Sequence, residues 1–257
     1  MLEGIVMSPL RAFAEGSLFG RINSEDPPVV LALHGWARTH SDFDAVLGGI
    51  PSVSLDLPGF GASLEPPVVW GADDYADAVV PVLRTFAKPP LVVGHSFGGR
   101  VAASLAARYP DLIDGLLLIS VPLLRPPDRV AVKVPRAYRI LRRLHAARLM
   151  SDERLERARR RYGSADYRAA EGLMRDILVK VVNETYEHHL KMLDGRVRLL
   201  WGADDNAVPV SIARASLEIL SSRADASIAI LPEIGHHVMA EAPEKAHAEI
   251  AMLAGLS

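Results

Sequence analysis

Six short apolar runs recur along this chain, at residues 29–33, 52–57, 91–93, 115–119, 197–201 and 228–231. A strand with one solvated face alternates apolar and polar side chains. Near-continuous runs such as Val29-Val30-Leu31-Ala32-Leu33 are what strands buried on both faces require. Between several of them lie alanine-rich segments of helix length, for example 74–87 and 209–220. That alternation predicts an α/β fold, a mostly parallel sheet with helices on both faces. With 257 residues and 49% hydrophobic content, the chain can bury one sizeable core.

The alternation stops between 121 and 189. Met174, Ile177, Leu178, Val181, Val182 and Tyr186 fall at spacings of three and four, an apolar stripe along one helix. Ser151-Asp152-Glu153 ahead of Leu155 reads as a helix start, a capping serine followed by acids in the first turn. The expected organisation is a core of 1–120 and 190–257 carrying a helical insertion at 121–189. Charge divides similarly. Residues 121–180 hold 16 Lys plus Arg against 7 Asp plus Glu, net +9, while the remainder holds 13 against 24, net −11. Arg154, Arg157 and Arg161 recur at helical spacing, as a solvated face would have them. Arginine outnumbers lysine 24 to 5 overall, which fits a codon bias as well as a function. The functional reading is that the basic segment attracts an anionic substrate or acyl carrier.

Other classes are excluded more simply. A net charge of −2 gives no pointer to nucleic acid, and the absence of cysteine removes disulfides, thiol nucleophiles and cysteine-held metals. No metal or other cofactor is expected. Met1-Leu2-Glu3-Gly4-Ile5 has neither the basic start nor the apolar stretch of a signal peptide, and no run approaches the ~20 residues of a spanning helix. The expectation is a cytoplasmic protein with no membrane span.

The chemistry centres on Gly94-His95-Ser96-Phe97-Gly98. This string follows the apolar Pro90-Leu91-Val92-Val93 and leads into a helix-like stretch at 99–107. A strand, a cramped glycine-bounded turn and a helix push Ser96 out at the apex, at the positive end of the helix. A serine hydroxyl needs a base, in practice an imidazole with an acid behind it. Of nine histidines, His236 is best placed, on the loop after the run at 228–231, with His237 as its neighbour. The acid comes from the loop after the run at 197–201, where Asp204 and Asp205 both stand. Both loops follow strand ends where open parallel sheets collect their sites.

These residues resemble the α/β-hydrolase-fold serine hydrolases. The match runs from about Val29 to Pro243 through His34-Gly35-Trp36, Asp56-Leu57-Pro58-Gly59-Phe60-Gly61-Ala62-Ser63, Gly94-His95-Ser96-Phe97-Gly98-Gly99, Trp201-Gly202-x-x-Asp205-x-x-x-Pro209 and Gly235-His236, all in family order. The resemblance implies a catalytic triad of Ser96, Asp205 and His236, since the family places its acid three residues after the position of Gly202. It implies an oxyanion hole from the backbone N–H groups of Trp36 and Phe97, and a helical cap at the insertion. Ser96 argues against haloalkane dehalogenases and epoxide hydrolases, which carry aspartate there.

The implied activity is hydrolysis of a small-molecule carboxylic ester. Thioesterase, lactonase, amidase, perhydrolase and carbon–carbon hydrolase chemistry share the same triad. A biotin-pathway esterase of this family, acting on a carrier-bound acyl chain, resembles the chain at His34-Gly35-Trp36 and from Asp56 to Gly61 but differs in the elbow. A ligand-sensing receptor of this fold is the alternative from another class. The remaining singled-out residues have plain expectations. His34 anchors loop backbone, His95 packs or supports the site from behind, Asp73-Asp74 starts a helix, and His188-His189 are solvated or lie at the edge of the cap rather than binding a metal.

Overall fold

The computed structural model describes residues 9–125 and 165–256, and between them residues 140, 141, 143–145, 147, 149–151, 154 and 157. The readings placed on Met1 to Ile5, Asp152, Glu153, Leu155 and Arg161 lie outside the described residues. The chain divides into two compact units, 1–125 with 185–257, and 126–184. The insertion inferred from sequence covers 121–189.

In the first unit eight strands form one sheet: β1 (Arg11–Phe13), β2 (Leu18–Ile22), β3 (Val30–Leu33), β4 (Ser52–Asp56), β5 (Leu91–His95), β6 (Gly115–Ile119), β7 (Arg196–Gly202) and β8 (Asp225–Leu231). Their order across the sheet is β1-β2-β4-β3-β5-β6-β7-β8. β1 with β2 and β2 with β4 are antiparallel, and every other pair is parallel. Every residue of β3, β4, β5 and β6 is buried, and β3 and β6 are correspondingly continuous apolar runs, whereas β4 buries Ser52, Ser54 and Asp56 as well. β1 and β2 have no counterpart among the six apolar runs. β1 has three residues, and β2 carries Gly20 and Arg21 in its middle. Gly20 lies so close to the Ser54 carbonyl and Leu55 of β4 that a Cβ would collide with them, so the antiparallel pairing itself demands the glycine.

On one face Val30, Ala32, Leu91, Val93, Leu117, Ile119 and Leu200 share a core with α7 (Val238–Glu241) and α8 (Pro243–Leu253). The side chains of alternate parity, among them Leu31, Val92, Leu116, Leu118 and Leu199, are buried on the other face. Against the sheet pack α2 (Phe97–Arg108) and α6 (Val210–Leu220), and α1 (Ala72–Leu83) lies along α2. α1 begins as expected: Asp73 and Asp74 occupy its first turn, and the Asp74 carboxylate accepts the Gly71 N–H at 2.7 Å.

The second unit contains α3 (Ala165–Ala169) and α4 (Gly172–Asn183). Ile177, Leu178 and Val181 are buried, but Val182 is 56% exposed and leaves the expected stripe. Tyr186 also departs from it. The backbone turns extended at Glu184, and Tyr186 caps a separate helix of the first unit, α5 (Glu187–Met192). Its N–H binds the Leu123 carbonyl at 2.9 Å, and the Arg100 guanidinium stands 5.6 Å over its ring. Tertiary partners therefore end a periodicity that local spacing would continue. Arg154 and Arg157 are exposed. Among the described residues no helix is long and apolar enough to cross a membrane.

Candidate active site

β5 runs straight into Ser96, whose φ of 49° and ψ of −110° belong to no regular element. For a residue with a Cβ this conformation costs on the order of 1–3 kcal/mol. Close packing fixes it. The Ser96 N–H binds the Ile119 carbonyl at 3.0 Å, and the Ser96 carbonyl accepts from Gly99 and Arg100 at 3.1 and 3.3 Å to open α2. A Cβ on Gly98 would fall on the carbonyl oxygens that end β3, and one on Gly94 would meet the backbone of Gly99. Both glycines are therefore demanded by contact rather than by dihedral. The N–H groups of Phe97 and Gly98, the first two of α2, have no carbonyl before them in the helix to bind and lie at its serine end.

Two loops bring side chains to that hydroxyl. His236 stands between β8 and α7, and its Nε2 lies 3.2 Å from Ser96 Oγ. Its Nδ1 lies 2.9 Å from Asp205 Oδ2. A carboxylate only accepts, so Nδ1 carries the hydrogen and Nε2 offers its lone pair to the serine hydroxyl. Asp205 follows β7 and is held from behind: Oδ1 accepts the N–H groups of Ala207 and Val208 at 2.9 and 2.7 Å. Burial works to raise its pKa, but hydrogen bonds from His236 and the Val208 N–H, with the electrostatic attraction of the His236 ring, outweigh burial and hold it below the ordinary carboxylate value. The neighbouring candidates do not converge. Asp204 and His237 are exposed, and the His237 N–H is engaged by Glu241.

His34 and Trp36 lie at the end of β3. The His34 Nδ1–H donates to the Gly35 carbonyl at 2.7 Å, and Nε2 accepts the Leu57 N–H at 2.9 Å. Burial pushes this ring down to about 4, against the opposing Gly35 hydrogen bond, so it is neutral near pH 7. A trans peptide points its carbonyl and N–H in opposite directions, so tying back the Gly35 carbonyl turns the Trp36 N–H away from His34. Gly35 is packed against the elbow; a Cβ there would sit 3.6 Å from Ser96 Cβ. The Trp36 ring meets Phe97 at 5.3 Å and Phe60 at 5.0 Å, both edge-on.

Two residues near the site were not given these partners by sequence. His95 Nε2 lies 3.0 Å from the His236 carbonyl oxygen. Ser120, with a φ of 52°, follows β6 and is fully buried. Its hydroxyl has no partner at hydrogen-bonding geometry, yet it lies near enough to Asp205 to help keep that carboxylate ionised. No local signal announces either contact. His189 is half-buried, with Nε2 2.9 Å from Asp73 Oδ1, an oxygen shared with the Ser104 hydroxyl. Among the described residues no group of three or more His, Asp or Glu is arranged to hold a metal.

An eight-stranded, mostly parallel sheet with a strained serine between β5 and α2 is the architecture of the α/β hydrolases. The chain belongs to the alpha/beta hydrolase family, whose profile matches residues 29–250. Over 93% of its length it is 28% identical to the putative hydrolase LipZ of Mycobacterium tuberculosis, covering 92% of that protein. It is 38% identical to esterase Rv0045c of the same organism over 103 residues, 37% of this chain and 33% of that esterase. The chain spans about a third of the length of the first curated relatives it matches. Among solved structures, a serine hydrolase involved in carbazole degradation superposes with a TM-score of 0.70 at 19% identity, covering 97% of this chain and 99% of that one.

Proposed function

We propose that the protein is a serine hydrolase that cleaves a carboxylic ester of a small molecule through an acyl-enzyme on Ser96. The observation that carries this is the unbroken relay from Ser96 Oγ through both nitrogens of His236 to Asp205, at 3.2 and 2.9 Å. Ser96 attacks the ester carbonyl as its proton passes to His236 Nε2. The N–H groups of Trp36 and Phe97 hold the oxyanion, and Asp205 keeps Nδ1 protonated and stabilises the imidazolium. The carbon–oxygen bond then breaks, and His236 returns the proton to the departing alkoxide. Water, deprotonated by the same nitrogen, attacks the acyl-serine, and collapse of the second intermediate frees the acid and restores Ser96. The esterase relative supports the choice of ester over other acyl substrates.

The test is a panel of 4-nitrophenyl and charged alkyl esters, with Ser96→Ala as the control. Many turnovers per active site, abolished in the variant, support the reading; one turnover or none favours a ligand sensor. Charge favours a second reading of the substrate, an anionic or carrier-bound acyl ester drawn to the basic segment. In that case kcat/KM for anionic esters falls steeply between 10 and 300 mM salt, while neutral esters are unaffected.

A further inference from the structure

His95 ends β5 immediately before Ser96 and is 2% exposed. Its Nε2 meets the carbonyl oxygen of His236 at 3.0 Å, a contact between residues 141 apart in sequence. A carbonyl only accepts, so Nε2 carries the hydrogen and Nδ1 keeps the lone pair. That lone pair is buried against Gly35 and has no hydrogen-bond partner. Leaving a buried nitrogen unpaired is unfavourable, and an apolar ring of the same shape would avoid it. Packing alone therefore does not account for an imidazole here; the Nε2–H does.

The consequence lies in what that bond joins. The His236 loop is already held from the β7 side, where Asp204 N–H binds the Ile234 carbonyl at 2.9 Å and Gly202 lies against Ile234 and Gly235. Among the described residues, the His95 bond and the Ser96–His236 contact are the hydrogen bonds joining this loop to the elbow. We propose that His95 is a positioning residue: by donating Nε2–H to the His236 carbonyl, it sets the height of the His236 loop over the elbow and so the Nε2–Oγ distance. The role rests on the acyl-enzyme reading, because it acts through His236. Burial, then repulsion from the nearby His236 ring, pushes His95 down to about 4. The ring thus adds no positive charge 5.1 Å from the imidazole that must itself become cationic.

The test uses the full chain with 4-nitrophenyl acetate and the variants His95→Phe, His95→Gln and His95→Asn. Glutamine places an amide N–H at about the reach of Nε2; asparagine is one carbon shorter. The expected result is a kcat loss of about 10–100-fold in His95→Phe with KM changed less than about twofold, because small misplacement of a reacting group penalises the transition state. His95→Gln should keep kcat within about threefold, and His95→Asn should resemble His95→Phe. The downfield proton resonance of the His236–Asp205 hydrogen bond should shift in the impaired variants alone. If His95→Phe does not fold, the Gln and Asn pair carries the same comparison. Wild-type kcat in folded His95→Phe or in His95→Asn overturns the proposal, as does equal damage in His95→Gln and His95→Asn. Turnover surviving in Ser96→Ala overturns the acyl-enzyme reading and the role with it; an inactive Ser96→Ala beside an unaffected His95→Phe overturns the positioning role alone.

Discussion

Two carboxylate–imidazole pairs, each with its carboxylate buried, stand at the ends of parallel strands in the first unit, built almost alike. Asp205 accepts two backbone N–H groups and the His236 ring at 2.9 Å. Asp56, at the end of β4, accepts the N–H groups of His40 and Ala62 and the His40 ring at 2.8 Å. In both, burial alone would raise the carboxyl and the hydrogen bonds more than reverse it. Each pair also has a neutral, fully buried histidine beside it, His34 near Asp56 and His95 beside His236. The difference is what the pair leads to. His236 carries the relay on to the Ser96 hydroxyl, whereas Asp56 closes the loop at 57–63, with its own carbonyl taking the Ser63 hydroxyl at 2.6 Å. An aspartate–histidine pair is thus a structural clamp unless its second nitrogen faces a nucleophile.

Substitution should separate the two pairs by readout. The largest effect is expected in Ser96→Ala, with kcat lowered on the order of 10⁶-fold and thermal stability nearly unchanged, because alanine keeps the Cβ and the elbow conformation. Steady-state kinetics and calorimetry on one preparation check both halves. Asp205→Asn should lower kcat by about 10⁴-fold by destabilising the productive His236 tautomer and its cation. Asp56→Ala inverts the pattern. It strands the buried donors of His40 and Ala62 and should lower unfolding free energy by about 3 kcal/mol in urea titrations, with kcat reduced less than about tenfold. A kcat loss in Asp56→Ala rivalling that of Asp205→Asn would erase the distinction between clamp and relay.

The smallest effect concerns the paired neutral histidines. Both rings have folded values of about 4 against 6.5 when exposed, so between those values the unfolded chain binds protons that the folded chain refuses. Their contribution is complete above pH 6.5 and is lost as pH falls toward 4. From pH 7 to 5 each should remove roughly 2 kcal/mol of unfolding free energy. Denaturant midpoints across that range should slope less in His95→Gln than in the wild type, and an unchanged slope would contradict the buried neutral state.

The readings from sequence succeed where the determinant is local. Runs such as 115–119 become β6 because neither face of that strand is solvated and its apolar side chains fill both, and Ser96 stands at a turn because a strand, glycines and a helix flank it. β2 has no such local signal, because pairing with β4, not composition, makes it a strand. Spacing extends one helix through Tyr186 because the tertiary contacts that claim Tyr186 leave no mark on it.

The candidate site divides along the same line. Spacing alone leaves Asp204 and Asp205 equivalent; burial and the two N–H groups at 207 and 208 separate them. The sequence by itself determined the parallel sheet, the serine at the turn and the short list of partners, because periodicity and turn chemistry act over a few residues. Tertiary structure alone decided which carboxylate meets which ring, that His95 reaches the His236 carbonyl, and that the Asp56 pair ends in a clamp. Those outcomes depend on how neighbouring strands register their end loops, and that register is a property of the assembled sheet.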